Sequence, residues 1–517
     1  MPSIKCSVDG CHLKPYTKRK ECVLHCEKNT YSHDFREIGL LSGFYDELIN
    51  YIIGELLSLS SNSRQITRVD ITNYFSKKEQ ETDNVSLIIK SNTIVFTNLA
   101  FPERDNRDHF DYLNILTMLG SIHFNICSFH TYGLKLTNVE CFFQDCTFLE
   151  QWQLYNTKLL ENVNNVIFQS CTFNERVSSS ADRDEKVIIE NPLFNDCYFK
   201  NKLELENTIF EKNLFSNTEN YKTNVNELYL NECVFNGKFI LNNCSVNKFR
   251  AFRSEFHSKL EIKKNTFLDF KFIDSNCFKL VDAFETHFNK FTIEKSIFED
   301  FVGFEKCRFG SIEDTTEEFS AIFLYASFLS FVNFRKTDFY SGLDIEHINL
   351  KEAPNFLNAN INSTNTNRET FRIIKNSFDK IGNHIDANRY FVHEMKKYKK
   401  DLKNKKLSQE KVVFFINEKA SNFGQSYIKP ILWLLLVSNI YAILIYGHQN
   451  GYLYQVYPPA NELITAISDG VNFVAKHAIP FKSVLREGME FISIVFYVIM
   501  ASLIWLTIVA IKRHTKR

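Results

Sequence analysis

The residues best suited to chemistry are crowded at the start of the chain. Four of its 13 cysteines fall in the first 26 residues, in the order Cys6-x4-Cys11-x10-Cys22-x2-His25-Cys26. Three thiolates and one imidazole, or four thiolates, close a tetrahedral zinc site, and such sites hold together segments too short to bury a core of their own. Cys6, Cys11, Cys22 and His25 are the expected ligands, with Cys26 competing for the fourth place and His12 a weaker alternative. A full set of four protein ligands leaves no position for a substrate, so the expected Zn2+ is structural or serves a partner. Elsewhere the chain has no Gly-rich phosphate loop, no nucleophile elbow and no His-Glu-x-x-His helix, the arrangements that carry phosphoryl transfer, acyl transfer and metalloprotease chemistry. Paired acids such as Glu317-Glu318 sit in polar stretches and read as solvated. The expectation is a protein that is not an enzyme, with no catalytic or organic-cofactor residues.

A head spanning 1–32 needs a larger body to position it. At 517 residues the chain exceeds one hydrophobic core, which implies three or four units. Its 61 basic and 61 acidic residues balance, which argues against a nucleic-acid partner, because binders of that kind carry a basic surplus. The 50 Phe and 16 Gly exclude Gly-rich disorder and make Phe the main packing residue. The remaining cysteines, Cys127, Cys141, Cys146, Cys171, Cys197, Cys233, Cys244, Cys277 and Cys307, stand mostly two before a Phe. Regular placement of this kind suits a small buried filler in a reducing compartment better than disulfide pairing. Met1 to Tyr31 lacks an apolar stretch, so no signal peptide is expected.

From Cys233 to Phe339 a small residue, any residue and an apolar one return at intervals of ten or eleven, as in Cys233-Val-Phe235, Ser254-Glu-Phe256, Ser275-Asn-Cys277, Thr286-His-Phe288 and Cys307-Arg-Phe309. No helix face or strand alternation has this period; stacked turns of a solenoid do. Looser copies at Cys127-Ser-Phe129, Cys146-Thr-Phe148, Cys171-Thr-Phe173 and Cys197-Tyr-Phe199 extend the pattern upstream, with Val177 to Arg183 and Ser216 to Asn224 read as loops leaving the stack. Phe239, Leu260, Phe270 and Phe291 fall three or four residues after the strong position and break strict regularity. Ahead of the repeat, His33 to about Ser63 reads as a helix with Phe44, Leu48, Ile52 and Leu56 in one stripe. Residues 33–120 read as an α/β cap, with Arg64 to about Asn114, in which Ser86 to Lys90 and Thr93 to Asn98 are strand-like, either part of that cap or the first irregular coils of the stack.

These residues resemble the pentapeptide-repeat family, in which a central Leu or Phe and a small residue two before it both point inward; Cys233 with Phe235 and Cys307 with Phe309 carry the likeness. The resemblance implies a mainly β fold, a right-handed parallel β-helix of four five-residue faces over 121–362. About a dozen coils at roughly 4.8 Å would make a rod on the order of 55 Å long. Downstream, Phe371, Ile374, Phe378, Ile381, Ile385, Phe391, Met395 and Tyr398 mark an amphipathic helical segment over 366–412, broken at Gly382-Asn383, that caps the solenoid. The run also resembles the helical segment that follows the repeats in membrane-attached members of the family.

Residues 491–511 are uncharged and dense in Ile, Val, Leu and Phe, and Lys512-Arg513-His514-Thr515-Lys516-Arg517 follows at once. That is the pattern of a transmembrane helix. A second span is expected over 427–447, beginning near Pro430. Lysines at 396, 397, 399, 400, 403, 405, 406 and 411 precede the first span, so both flanks and both termini are expected to be cytoplasmic, at a cell (inner) membrane. The connection 448–490 carries Ile464, Ile467, Val471, Val474 and Ala478 on one helical face, suited to lying on the bilayer.

The expected partners are therefore a lipid bilayer, an unidentified protein and, through the spans, further copies of the chain. Two functions fit: a membrane-anchored cytoplasmic scaffold or sensor, or an oligomeric membrane-permeabilising, ion-channel-like effector serving stress response or phage defence. DNA mimicry, which the resemblance also suggests, would need a strongly acidic surface that the zero net charge does not provide. The Phe-, Asn- and Lys-rich composition points to a low-GC bacterium.

Overall fold

Buried side chains in the repeat come in pairs two residues apart, and the spacing of the pairs sets the cross-section of the fold. The computed structural model describes residues 5–17, 19–28, 39–59, 67–76, 83–104, 109–160, 165–179, 186–216, 223–313, 315–403, 409–450, 467–473 and 485–515. They divide into two units, Met1–Thr366 and Asn367–Arg517.

In the first unit one turn of chain buries Asn265 with Phe267, Phe270 with Phe272, Ser275 with Cys277 and Val281 with Ala283, and the next begins at Thr286 with Phe288. The second members stand five, five, six and five residues apart, which gives four faces per turn. Hydrogen bonds between equivalent residues of successive turns accordingly join positions 21 apart. Strands Thr266–Ile273 and His287–Glu294 pair parallel and in register, setting Phe267 on Phe288, Phe270 on Phe291 and Phe272 on Ile293. Repetition of this pairing builds a parallel β-solenoid of about 10 turns. Its interior is a set of stacked rings: Phe267, Phe288, Phe309 and Phe339 follow one another at 5.4, 5.1 and 4.9 Å between centroids, close to the spacing of adjacent strands.

The ten-or-eleven period has a backbone cause. Glu232, Asn243, Arg253, Lys264, Asp274, Glu285, Lys295 and Lys306 all adopt φ between 46° and 58°, so two corners of each turn are left-handed. Such a conformation strains a residue with a Cβ. Stacking overrides the strain, because the amides of Arg253, Lys264 and Asp274 donate to carbonyls of the next turn at 3.2, 2.9 and 2.9 Å. Only the two faces that follow these corners open with a small residue. The others open with a large one: Phe249, Phe270 and Phe291 on one, and Leu260, Val281 and Val302 on the other. The apparent irregularity at Phe239, Leu260, Phe270 and Phe291 is thus the regular start of the alternate faces.

Pairing also begins earlier than residue 121. Thr93–Thr97 pairs with Ser121–Asn125, and Ala100–Phe101 with Ser128–Phe129, so of the two readings of this stretch its end is the first coil of the stack. Helices α1 (Leu40–Leu59), α2 (Arg68–Ser76) and α3 (Asp83–Ser91) precede it, and a short α4 (Leu113–Leu116) follows. Phe44, Leu48, Ile52 and Leu56 of α1 are all buried; 33–38 and 60–63 lie outside the described residues. Ser86 to Lys90, read as strand-like, belongs to α3, where burial of Val85 and Ile89 follows helical spacing. Val177–Ser179, read as part of a loop, is a strand of the stack paired with both Trp152–Gln153 and Leu203–Leu205; 180–185 and 217–222 lie outside the described residues. Turns above the clean run take 28, 19, 25 and 26 residues in succession rather than 21, and the longer ones account for about 10 turns where five-residue faces alone imply a dozen.

In the second unit α5 (Arg368–Lys380) and α6 (His384–Lys403) meet at Gly382, whose φ of 77° ends the first helix. Asn367 caps α5 by accepting from the Thr370 amide at 2.8 Å. Phe371, Ile374 and Phe378 are buried, whereas Ile381 and Ile385, beside the break, are exposed. Then come α7 (Gln409–Ser421), α8 (Ile428–Gln449) and α9 (Glu490–Thr515). Helix α8, and α9 over Glu490–Arg513, are long and apolar enough to cross a membrane, at 22 and 24 residues. They pair through stacking of Tyr441 on Phe496 at 5.0 Å and a hydrogen bond between the Tyr441 and Ser493 hydroxyls at 2.9 Å. Of the expected interfacial face, Ile464, Val474 and Ala478 lie outside the described residues; Ile467 and Val471 are exposed on the helical stretch 467–473.

Candidate metal centre

Two short segments bring the head's ligands together. The first doubles back through a turn, with the Cys11 amide donating to the Val8 carbonyl at 3.1 Å and the Cys6 amide to the Leu13 carbonyl at 2.9 Å; Gly10, at φ 81°, provides the left-handed residue that this turn needs. The second is a single helical turn from Cys22, in which the His25 and Cys26 amides donate to the Cys22 carbonyl at 3.1 and 2.8 Å. One turn of helix puts residues three apart on the same side, so Cys22 and His25 face Cys6 and Cys11 together.

The ligand atoms of Cys6, Cys11, Cys22 and His25 all lie within 4.8 Å of one another. Sγ of Cys11 is 3.7 Å from Sγ of Cys22, and Nδ1 of His25 is 3.1 Å from Sγ of Cys22 and 3.6 Å from Sγ of Cys6. Ligands at ordinary zinc distances around a tetrahedral centre stand about 3.6–3.8 Å apart, so the group has room for one metal ion. Cys26 lies apart from this group: its buried thiol faces the Val23 carbonyl at 4.0 Å. Exposed His12 also stands outside it. Burial pushes the Cys22 thiol up to about 12 and raises Cys11, and burial followed by the charge of Lys28 lowers His25. A bound cation would offset the cost of ionising such thiols in a dry setting.

The centre is fastened to the solenoid by the Ala100 amide, which donates to the Leu24 carbonyl at 2.8 Å. Nearby, buried Lys28 donates to the Cys26 carbonyl at 2.8 Å and lies over the Phe44 ring at 5.3 Å. A cavity of about 890 Å³ opens beside the ligands, walled by Cys11 and His25, by Glu47 and Tyr51 of α1, and by Asn98 and Ile126 from the corners of the first turns.

A second chemical role was hidden in the repeat. The nine cysteines there are free and buried, yet most act as donors rather than as inert filler. Cys127, Cys146, Cys171 and Cys197 each direct a thiol at two backbone carbonyls, at 3.2–3.5 Å. At the same position Ser254, Ser275 and Ser296 donate to the carbonyls of Phe252, Ile273 and Glu294 at 2.9, 3.0 and 2.8 Å. Their hydroxyls also accept from the amides of Cys233, Ser254 and Ser275, one turn earlier, at 3.3, 3.1 and 3.2 Å. The position takes a small side chain, in most turns one that can donate. The restriction to Cys, Ser, Thr, Asn and Ala was the available signal, since four of these five carry a donor.

Comparison with family models, curated proteins and solved structures finds no match for this chain.

Proposed function

We propose that the protein is a membrane-anchored scaffold or sensor: a pentapeptide-repeat-like solenoid with a zinc-bearing head, held at a bacterial inner membrane by α8 and α9. The observation that carries this reading is the surface of those two helices. They meet along a narrow seam, yet Leu432, Ile443, Val498 and Trp505 are more than half exposed, an arrangement costly in water and ordinary in lipid. The basic residues before α8 and after α9 favour cytoplasmic placement of both flanks; Lys405, Lys406, Lys516 and Arg517 among them lie outside the described residues. Zinc suits three thiolates and an imidazole in a closed set. The outward solenoid surface carries ion pairs of mixed sign between turns, such as Lys248 with Glu227 at 2.7 Å and Lys306 with Glu285 at 2.9 Å, which fits a protein partner better than nucleic acid.

Dye-loaded liposomes test the reading against a permeabilising effector. Full-length protein reconstituted into them should leave the dye inside, as should a chain ending at residue 425. Release by the full-length chain alone would overturn the scaffold in favour of the pore.

A further inference from the structure

Helix α7 presents three faces. One is held by α6: Tyr398 meets Phe414 with ring centroids 4.9 Å apart, and Lys399 pairs with Glu418. A second, with Val413 and Ile416, walls an apolar groove of about 520 Å³ whose other side is Val498, Ala501, Trp505 and Leu506 of α9. The third is open. It carries Val412 and Phe415, 49 and 59% exposed, and with the groove's Val413 and Ile416, 54 and 52% exposed, four apolar residues within five positions meet solvent on a helix that no pattern of the spans had included.

We propose that α7 is a third membrane-contacting helix, sunk beside α9 into the leaflet on the basic-tail side, with lipid acyl chains filling the groove and covering its open face. The inference rests on the reading of α8 and α9 as membrane spans. Three observations select lipid as the occupant. The groove is continuous with the surface of α9 that this reading gives to lipid, since Val498 and Trp505 belong to both. Among the described residues none that lines it is charged, and only Asn417 and Ser502 are polar. The C-terminal end of α7 meets the basic end of α9, where the Arg513 guanidinium donates to the Phe423 carbonyl and lies over the Phe391 ring at 4.8 Å. Helix α7 therefore runs along the half of α9 that ends in the basic cluster.

Tryptophan quenching in the full-length chain tests this. With Trp433→Phe and Trp505→Phe in the background, the remaining native tryptophan is Trp152, buried in the solenoid. Phe415→Trp and, as a control on α8, Ile443→Trp are then reconstituted separately into vesicles of phosphatidylcholine and phosphatidylglycerol. The expected result is that brominated acyl chains quench both added tryptophans and aqueous iodide quenches neither. If Ile443→Trp responds to brominated lipid while Phe415→Trp responds only to iodide, α7 lies in water and the inference fails alone. Should Phe415→Trp respond to neither quencher, protein covers the helix, and a second copy replaces lipid as the occupant. If neither position senses brominated lipid, the membrane reading itself fails and this inference with it.

Discussion

At the residue scale, the small position of the repeat shows how much a short pattern can conceal. Its size and period were legible because Cys, Ser, Thr, Asn and Ala recur there on schedule. Its chemistry was not, because each left-handed corner leaves backbone groups that only the folded stack brings within reach of a hydroxyl or thiol. Ser275→Ala should therefore leave the buried Ser254 amide without its acceptor and lower the stability of the first unit by about 1–3 kcal/mol, read as a shift in denaturant midpoint. Phe288, between Phe267 and Phe309, should cost about 3–5 kcal/mol when changed to Ala; an unchanged midpoint would remove it from the core. In the head, Cys22→Ser should abolish metal binding and Cys26→Ser should retain it, as measured by elemental analysis of the purified protein. Spacing alone left His25 and Cys26 as rivals, and the single helical turn from Cys22 separates them by placing one in the ligand group and the other against the Val23 carbonyl.

At the element scale, half of each turn was readable. Two faces follow left-handed corners and open with a small residue, which the eye finds; the other two open with Phe, Leu or Val and look irregular until their partners two residues on are seen to be buried as well. The corners yield a test of their own. Lys264→Gly should leave stability unchanged or raise it, because glycine takes φ 53° without strain. Lys264→Ile should lower it by about 1–2 kcal/mol, since a β-branched side chain is poorly tolerated there. Thermal unfolding of the two variants distinguishes these outcomes. Helix α3 illustrates the opposite error: Ser86 to Lys90 is too short for its own sequence to choose between strand and helix, and packing of Val85 and Ile89 decides it.

Also at this scale, the junction of head and first turns has a pH dependence. His130 is buried, and among the described residues neither of its ring nitrogens finds a hydrogen-bond partner. Burial first, and the charge of Lys28 second, push its imidazole down to about 4. A histidine held neutral in the folded state is protonated more readily in the unfolded one. Stability is thus fully present above about 6.5 and falls as the pH drops through the window from there to about 4. Denaturant midpoints measured at pH 7 and pH 5 should show the loss, and His130→Leu should flatten it.

At the scale of the whole molecule, the order of parts was legible because each obeys a different period: clustered thiols, a ten-or-eleven repeat, a helical stripe and uninterrupted apolar runs. The start of the solenoid was not, since Thr93–Thr97 and Ala100–Phe101 are too short to announce that they pair with a turn beginning 28 residues later. The central claim is that α8 and α9 hold the solenoid at a membrane, and alkaline carbonate extraction of membranes from expressing cells tests it most directly. The full-length chain should stay in the pellet while a chain ending at residue 425 moves to the supernatant; a full-length chain released into the supernatant would contradict the account.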